Sequence, residues 1–412
     1  MAVWKLPDSL LPMQNALERG DHNMRVLMLD LFLPDSTYTK ELVERLKKYV
    51  DIDLVCTSNV TEQIDGVHVL PKFYAPGKGV MKGAGEYVKG LSFISNLLHK
   101  NSYQIFHVQT FKNDAVEIPF YIRLMKHHPE AKFVVTAHNI APHEAPEKTK
   151  TLYQNLYDAC DLIVVHNKDC RNRLMRDYGI SYDKILLMPH GAYSVPKEEA
   201  GKHTEKNSVV SFLFFGCIRK YKGLDILLKA ISLLPDDVKS RCRFTIAGER
   251  LRLDETDYIR MAEELKIQRL VSFQLRHVPE EELPKLFASA DFCIYPYREI
   301  SGSGALLMAF SYGVPVIAAS LLPFREETDH GAAGILCKPE SQESLAKAIC
   351  SAVNMTREKY QNMSKGAQKQ AEKHSWDVSA KLLKNGYRRT YREDVFVRHA
   401  KYQQEKRKRN KK

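Results

Sequence analysis

The 412-residue chain is 44% hydrophobic and 27% charged, a balance that suits packed cores in two or three domains. Its 17 Phe and 20 Tyr exclude disorder as the main state, and 20 Gly and 18 Pro without period exclude a collagen-like or low-complexity chain. The net charge of +12 is uneven: residues 398–412 carry +7 of it (Arg398, Lys401, Lys406, Arg407, Lys408, Arg409, Lys411 and Lys412 against Glu405), so the body holds only +5.

Taken in chain order, Met1–Asp21 carries charges throughout and no apolar core, so no secretory leader is expected. From Met24 onward, short β-branched runs alternate with amphipathic stretches. Strands are expected at Arg25–Leu31, Asp53–Thr57, Ile105–Val108, Phe133–Ala137, Leu162–Val165 and Ile185–Met188. Helices fit between them, at Thr39–Tyr49 and Tyr121–His128 among others. Such alternation implies a mostly parallel sheet with helices on both faces.

Lys197–Ser208 is polar and reads as a linker, after which the alternation restarts. Strands follow at Ser211–Phe215, Phe244–Ala247, Ser272–Phe273, Phe292–Tyr295, Val314–Ala318 and Gly334–Leu336, with helices at Gly223–Leu234, Glu280–Ala288 and Ser341–Asn354. The fold class expected is therefore α/β, with two Rossmann-like doubly wound domains (1–196 and 197–372) facing a cleft. Ile300–Phe324 is uncharged and long enough to span a bilayer, but its Gly, Pro and Ser divide it into a loop, a helix at Ala305–Tyr312 and a strand. His374–Asp377 opens a last helix, through about Tyr391, and the basic tail follows as a frayed, solvated end. Its functional alternative is attraction to an anionic membrane surface. Nucleic acid is not expected as a partner, because the body is nearly balanced and aromatics are not interleaved with the basic residues.

Eight cysteines (Cys56, Cys160, Cys170, Cys217, Cys242, Cys293, Cys337 and Cys350) show no paired short spacing. Neither a disulfide framework nor a zinc site is expected, and a reducing, cytoplasmic setting fits.

Two segments carry chemistry. Phe215-Gly216-Cys217-Ile218-Arg219-Lys220-Tyr221-Lys222-Gly223 follows a strand and opens a helix. Gly216 lets a ligand approach the backbone, and Arg219 with Lys222 offers a fork and a point charge for a diphosphate. Tyr295–Leu306 contains Ser301, Gly302, Ser303 and Gly304, small residues whose N–H groups make a second anion cradle before a helix.

Together these motifs resemble the retaining, nucleotide-sugar-dependent glycosyltransferases of family 4, which have the GT-B fold. The resemblance continues through Thr245–Gly248, Val278–Leu283, Leu286–Asp291, Gly313–Ala318 and Gly331–Leu336. It implies transfer of a hexose from a nucleoside diphosphate sugar to a glycan or lipid-linked hydroxyl, as in polysaccharide biosynthesis, without cofactor or metal. It implies a last helix, 373–397, that returns to the first domain, which binds the acceptor. Among the site residues, Arg219, Lys222, His138 and Glu299 would be catalytic. Gly216, Ser301, Gly302, Ser303, Gly304 and Glu326 would bind the donor. His143 and Glu144 follow the His138 strand and would reach the cleft or shape its loop. The family's two glutamates, with seven residues between them, are broken here: Ile300 and Met308 hold their places, with Glu299 and Glu326 as substitutes. A non-catalytic sugar-nucleotide-binding protein, or a GT-B phosphorylase or epimerase, are the alternatives.

Overall fold

Leu27, Leu29, Phe106 and Val135 cover one face of a sheet while Val26, Met28, Ile105 and Val134 cover the other, so strands this apolar can only be central and parallel. The computed structural model describes residues 24–33, 37–73, 80–140, 147–193, 195, 209–250, 256–300 and 302–409, with side chains at all but 80–83 and 393–409. The chain forms two compact units. One runs up to Pro189 and includes the chain from Trp376 onward; the other is His190–Ser375.

The first unit holds β1 (Arg25–Asp30), α1 (Thr37–Leu46), β2 (Asp51–Thr57), β3 (His68–Phe73), α2 (Val80–Lys100), β4 (Ile105–Val108) and α3 (Asp114–Lys126). It continues with β5 (Lys132–Thr136), α4 (Glu147–Ala159), β6 (Leu162–Val165), α5 (Lys168–Tyr178) and β7 (Ile185–Leu187). The described strands form one parallel sheet, ordered β3-β2-β1-β4-β5-β6-β7. Strand order reverses between β1 and β4, where the loops leaving the carboxyl ends diverge and a ligand can enter.

The second unit holds β8 (Val210–Phe215), α6 (Leu224–Ser232), α7 (Asp236–Lys239), β9 (Cys242–Ala247), α8 (Tyr258–Glu264), β10 (Val271–Gln274) and α9 (Leu283–Ala288). After these come β11 (Phe292–Tyr295), α10 (Gly304–Ser311), β12 (Val316–Ala319), α11 (Leu322–Glu327), β13 (Gly334–Cys337), α12 (Gln342–Val353) and α13 (Arg357–Lys373). Its described strands are again parallel, ordered β10-β9-β8-β11-β12-β13, with the reversal between β8 and β11. The uncharged Ile300–Phe324 stretch is thus α10, β12 and the start of α11. Among the described residues no helix is long and apolar enough to cross a membrane.

The units meet the chain at Pro189/His190, ahead of the 196/197 boundary expected, because Ala192 N donates to His374 O (2.5 Å) and His374 Nδ1 lies 3.1 Å from His190 O. The expected linker 197–208 lies outside the described residues. The last helix, α14 (Trp376–Arg409), does return to the first unit. Trp376, Ala380, Leu383 and Tyr387 form a buried stripe in one core with Tyr38, Leu42 and Leu46 of α1. Tyr387 Oη lies 2.5 Å from His107 Nδ1, and His107 Nε2 lies 2.8 Å from Thr136 Oγ1. Burial pulls that imidazole down to about 3, so it is a neutral link between helix and sheet. The helix also outruns its expected end near Tyr391. Its backbone is helical through Arg409, because Gln, Lys, Arg and Ala favour a helix and no Gly or Pro follows Tyr391.

Candidate active site in the second unit

β8 ends where the chain must turn sharply, and Gly216 does so at φ 114°, a conformation other residues rarely adopt. Arg219 follows in an extended conformation and caps a single 3-10 turn, Lys220–Lys222. Gly223, at φ 72°, closes this turn and starts α6; a Cβ there would strike the Pro296 carbonyl oxygen. The loop after β8 is therefore seated directly on the loop after β11.

That seat places the two predicted cations differently. Arg219 is exposed. Lys222 is not the solvent-facing residue that a βα turn suggests: it is 8% exposed. Its Nζ points back to Gly216, where a Cβ would stand only 2.9 Å away, and lies 5.6 Å from the centre of the Tyr297 ring. Burial first, and then the Arg219 charge, pull Lys222 down from 10.5 to about 8. A buried ammonium costs free energy unless an anion joins it, so this position is primed for one.

The loop after β11 is held to the same turn. Arg298 N donates to Tyr221 O (2.8 Å) and Arg298 Nη1 to Lys220 O (2.8 Å). Tyr297 is 2% exposed and packs edge-on against Tyr221 and Tyr295. Glu299 is exposed, and its charge acts on the half-buried Tyr221 beside that of Arg219. Gly302 is exposed; Ser303 is buried and caps α10, its Oγ accepting from Leu306 N (3.1 Å) before Gly304 begins the helix. Ser301, His143 and Glu144 lie outside the described residues.

Met308 is half-buried on α10 and Ile300 is buried, so neither motif glutamate has a carboxylate at its place. Glu326 is half-buried on α11, whose Phe324 packs on Tyr297 with ring centres 5.3 Å apart. Its neighbour Glu327 was not singled out in the sequence. That carboxyl is buried, its Oε2 has no hydrogen-bond partner, and burial, with the Glu326 charge, pushes it up to about 8. The one available signal was an acid on the apolar phase of a short helix.

His138 belongs to the first unit. It follows β5, with its Nδ1 3.4 Å from His166 Nε2 and its ring edge-on to Tyr38. His166 in turn is 3.0 Å from Met188 O, and burial pulls it down to about 4. His107 faces Tyr387 and Thr136. Among the described residues no three His, Cys, Asp or Glu are grouped to hold a metal.

Two family models divide the chain between them. "Glycosyltransferase Family 4" matches residues 36–192 and "Glycosyl transferases group 1" matches 196–370. The chain belongs to glycosyltransferase family 4. Its two parallel-sheet units are the Rossmann-like units of that family's GT-B fold. A D-inositol 3-phosphate glycosyltransferase of Corynebacterium aurimucosum is 27% identical over 256 residues, covering 58% of this chain and 60% of the relative. The match thus spans about three-fifths of that relative's length. Among solved structures, sucrose-phosphate synthase from Thermosynechococcus elongatus superposes with TM-score 0.73 at 16% identity, over 89% of this chain and 99% of that one. HepE of Anabaena, in complex with UDP-glucose, gives TM-score 0.64 at 17% identity over 91% and 100% of the chains. In this family 4 chain the Gly216–Gly223 turn and the Ser303–Gly304 helix start stand at carboxyl ends of β8 and β11, on either side of the point where strand order reverses.

Proposed function

We propose that this chain transfers a hexosyl group from a nucleoside diphosphate sugar to an acceptor hydroxyl, with retention at the anomeric carbon. The observation that carries the reading is Lys222: a buried ammonium beside exposed Arg219, both at the end of β8 where a strand-order reversal opens the sheet. Two such cations complement a diphosphate, and they matter most as the bond from C1 to the phosphate oxygen breaks and negative charge grows. The acceptor oxygen forms the new bond to C1, and its proton passes to the departing diphosphate. In this reading no carboxylate nucleophile takes part, because the acceptor oxygen itself forms the bond to C1. Charge on the diphosphate is met by Arg219 and Lys222, so the reading takes no metal, and EDTA should leave turnover unchanged.

Thermal shift with UDP, GDP and ADP, followed by NMR of the product's anomeric proton, tests this. One nucleotide diphosphate should stabilise the protein, and the product should keep the donor's configuration. Arg219→Ala and Lys222→Ala should each lower turnover about 100-fold or more. Wild-type turnover in both variants would remove the assignment, and an inverted product would remove retention.

A further inference from the structure

We propose that the first unit holds the acceptor as an uncharged, hydroxyl-rich ring and rejects a phosphorylated one; this rests on the transfer reading above. A concave site of about 240 Å³ opens at the carboxyl ends of β1, β4 and β5, where that sheet reverses its order. It is smaller than the ~300–1,000 Å³ of pockets that enclose drug-sized ligands, and so fits a single ring rather than a chain.

Its walls carry both parts of a sugar site. Tyr153 and Phe111 bring aromatic rings to its lining, and Gln109, Thr110 and Asn139 bring hydrogen-bonding groups. Gln109 is the decisive residue. It is 1% exposed, its Nε2 reaches only Met28 Sδ at 3.7 Å, and its Oε1 has no partner at all. A buried acceptor left unpaired is costly, and a ligand hydroxyl donating to it removes that cost.

The charge of the site selects among acceptors. Asp114 lines it and accepts from Tyr153 Oη (2.7 Å). Just beneath, buried Asp30 accepts from Phe32 N (2.9 Å) and from Thr110 Oγ1 (2.6 Å). Among the described lining residues none is Lys or Arg, His138 is the one basic side chain, and exposed Lys112 lies outside the lining. A phosphate ester would bring about −1.5 to −2 charge against two carboxylates, with one imidazole and, among the described lining residues, no guanidinium or ammonium to receive it. Vicinal hydroxyls, by contrast, can donate to these acceptors.

Saturation-transfer NMR on the full chain reads the site without any donor. The probes are the methyl glycosides of glucose, mannose and galactose with myo-inositol, each beside a phosphate ester of the same ring. At least one neutral ring should bind, and its ester should bind at least ten-fold more weakly. Gln109→Leu and the exposed-site variant Asn139→Ala should each weaken the neutral ring, about ten-fold for the first, while the nucleotide thermal shift stays unchanged. Tighter binding of an ester, no binding of any neutral ring, or unchanged binding in a folded Asn139→Ala protein would overturn the proposal. Ring binding without any nucleotide shift would instead strike the donor reading and leave this one standing.

Discussion

Both terminal nitrogens of Arg298 rest on the carboxylate of Asp225, at 3.0 and 2.8 Å, so the loop after β11 grips the first turn of α6 as a two-pronged fork. The same guanidinium reaches Lys220 O, which makes it a brace for the turn that carries Arg219 and Lys222. Bidentate geometry of this kind fixes orientation as well as proximity. Arg298→Lys keeps the charge and loses the fork. It should weaken nucleotide diphosphate binding several-fold with little change in melting temperature; unchanged affinity would show that the turn holds its shape unaided.

Lys222 sets a pH dependence whose sign follows from its depressed value. In the free protein it is mostly charged at pH 7 and loses its proton through about pH 8. A diphosphate favours the charged form, so donor affinity should be greatest below pH 8. Above it, the dissociation constant should rise by up to about ten-fold per pH unit until the proton is lost from the complex as well. Titration calorimetry from pH 6.5 to 9.5 checks this, and Lys222→Arg should flatten the curve.

How much of this was legible beforehand depended on whether the local signal was strong enough to survive its context. Phe292–Tyr295 and Leu162–Val165 are strands with the bounds expected, because short apolar runs between turn residues have few other uses. β3 escaped notice because Pro71 and Lys72 interrupt it; it is an edge strand, where both are tolerated. α2 escaped because Gly83, Gly85 and Gly90 weaken its pattern, and α3 was expected to begin only after Pro119. Its true start is fixed by Glu117, which accepts from the backbone N–H groups of Lys112 and Asn113. At the site, the cations were readable as residue types, whereas the burial of Lys222 depends on Tyr297 and Gly216 arriving from separate strands.

Glu327 makes a stability prediction. Its folded value of about 8 lies above its ordinary 4.5, so the folded state binds the proton more tightly. Stability from this group is full below about pH 4.5 and is lost as pH rises toward 8. Glu327→Gln keeps the shape without the charge. It should lose less of its melting temperature between pH 6 and 8 than the parent does, by a few degrees, in a scanning fluorimetry series. Parallel curves would show that the carboxyl finds a partner or water.

The basic end of α14 makes a prediction at a surface. Deleting 398–412 leaves the stripe from Trp376 to Tyr387 intact, so turnover on a soluble acceptor should not change. Cosedimentation with vesicles rich in phosphatidylglycerol should fall, and the difference should vanish in 0.5 M salt. Equal sedimentation of both forms at low salt would end the membrane reading of this segment.

Because α14 completes a unit that the chain left at Pro189, the second unit is an insertion in the first. A ribosome delivers some two hundred further residues before Trp376 emerges to cover Tyr38, Leu42 and Leu46. Until then this apolar floor stays bare and open to aggregation, while the inserted unit, made in one run, can close on its own. Order of synthesis and order of folding are therefore crossed: the half that begins first is the half that finishes last.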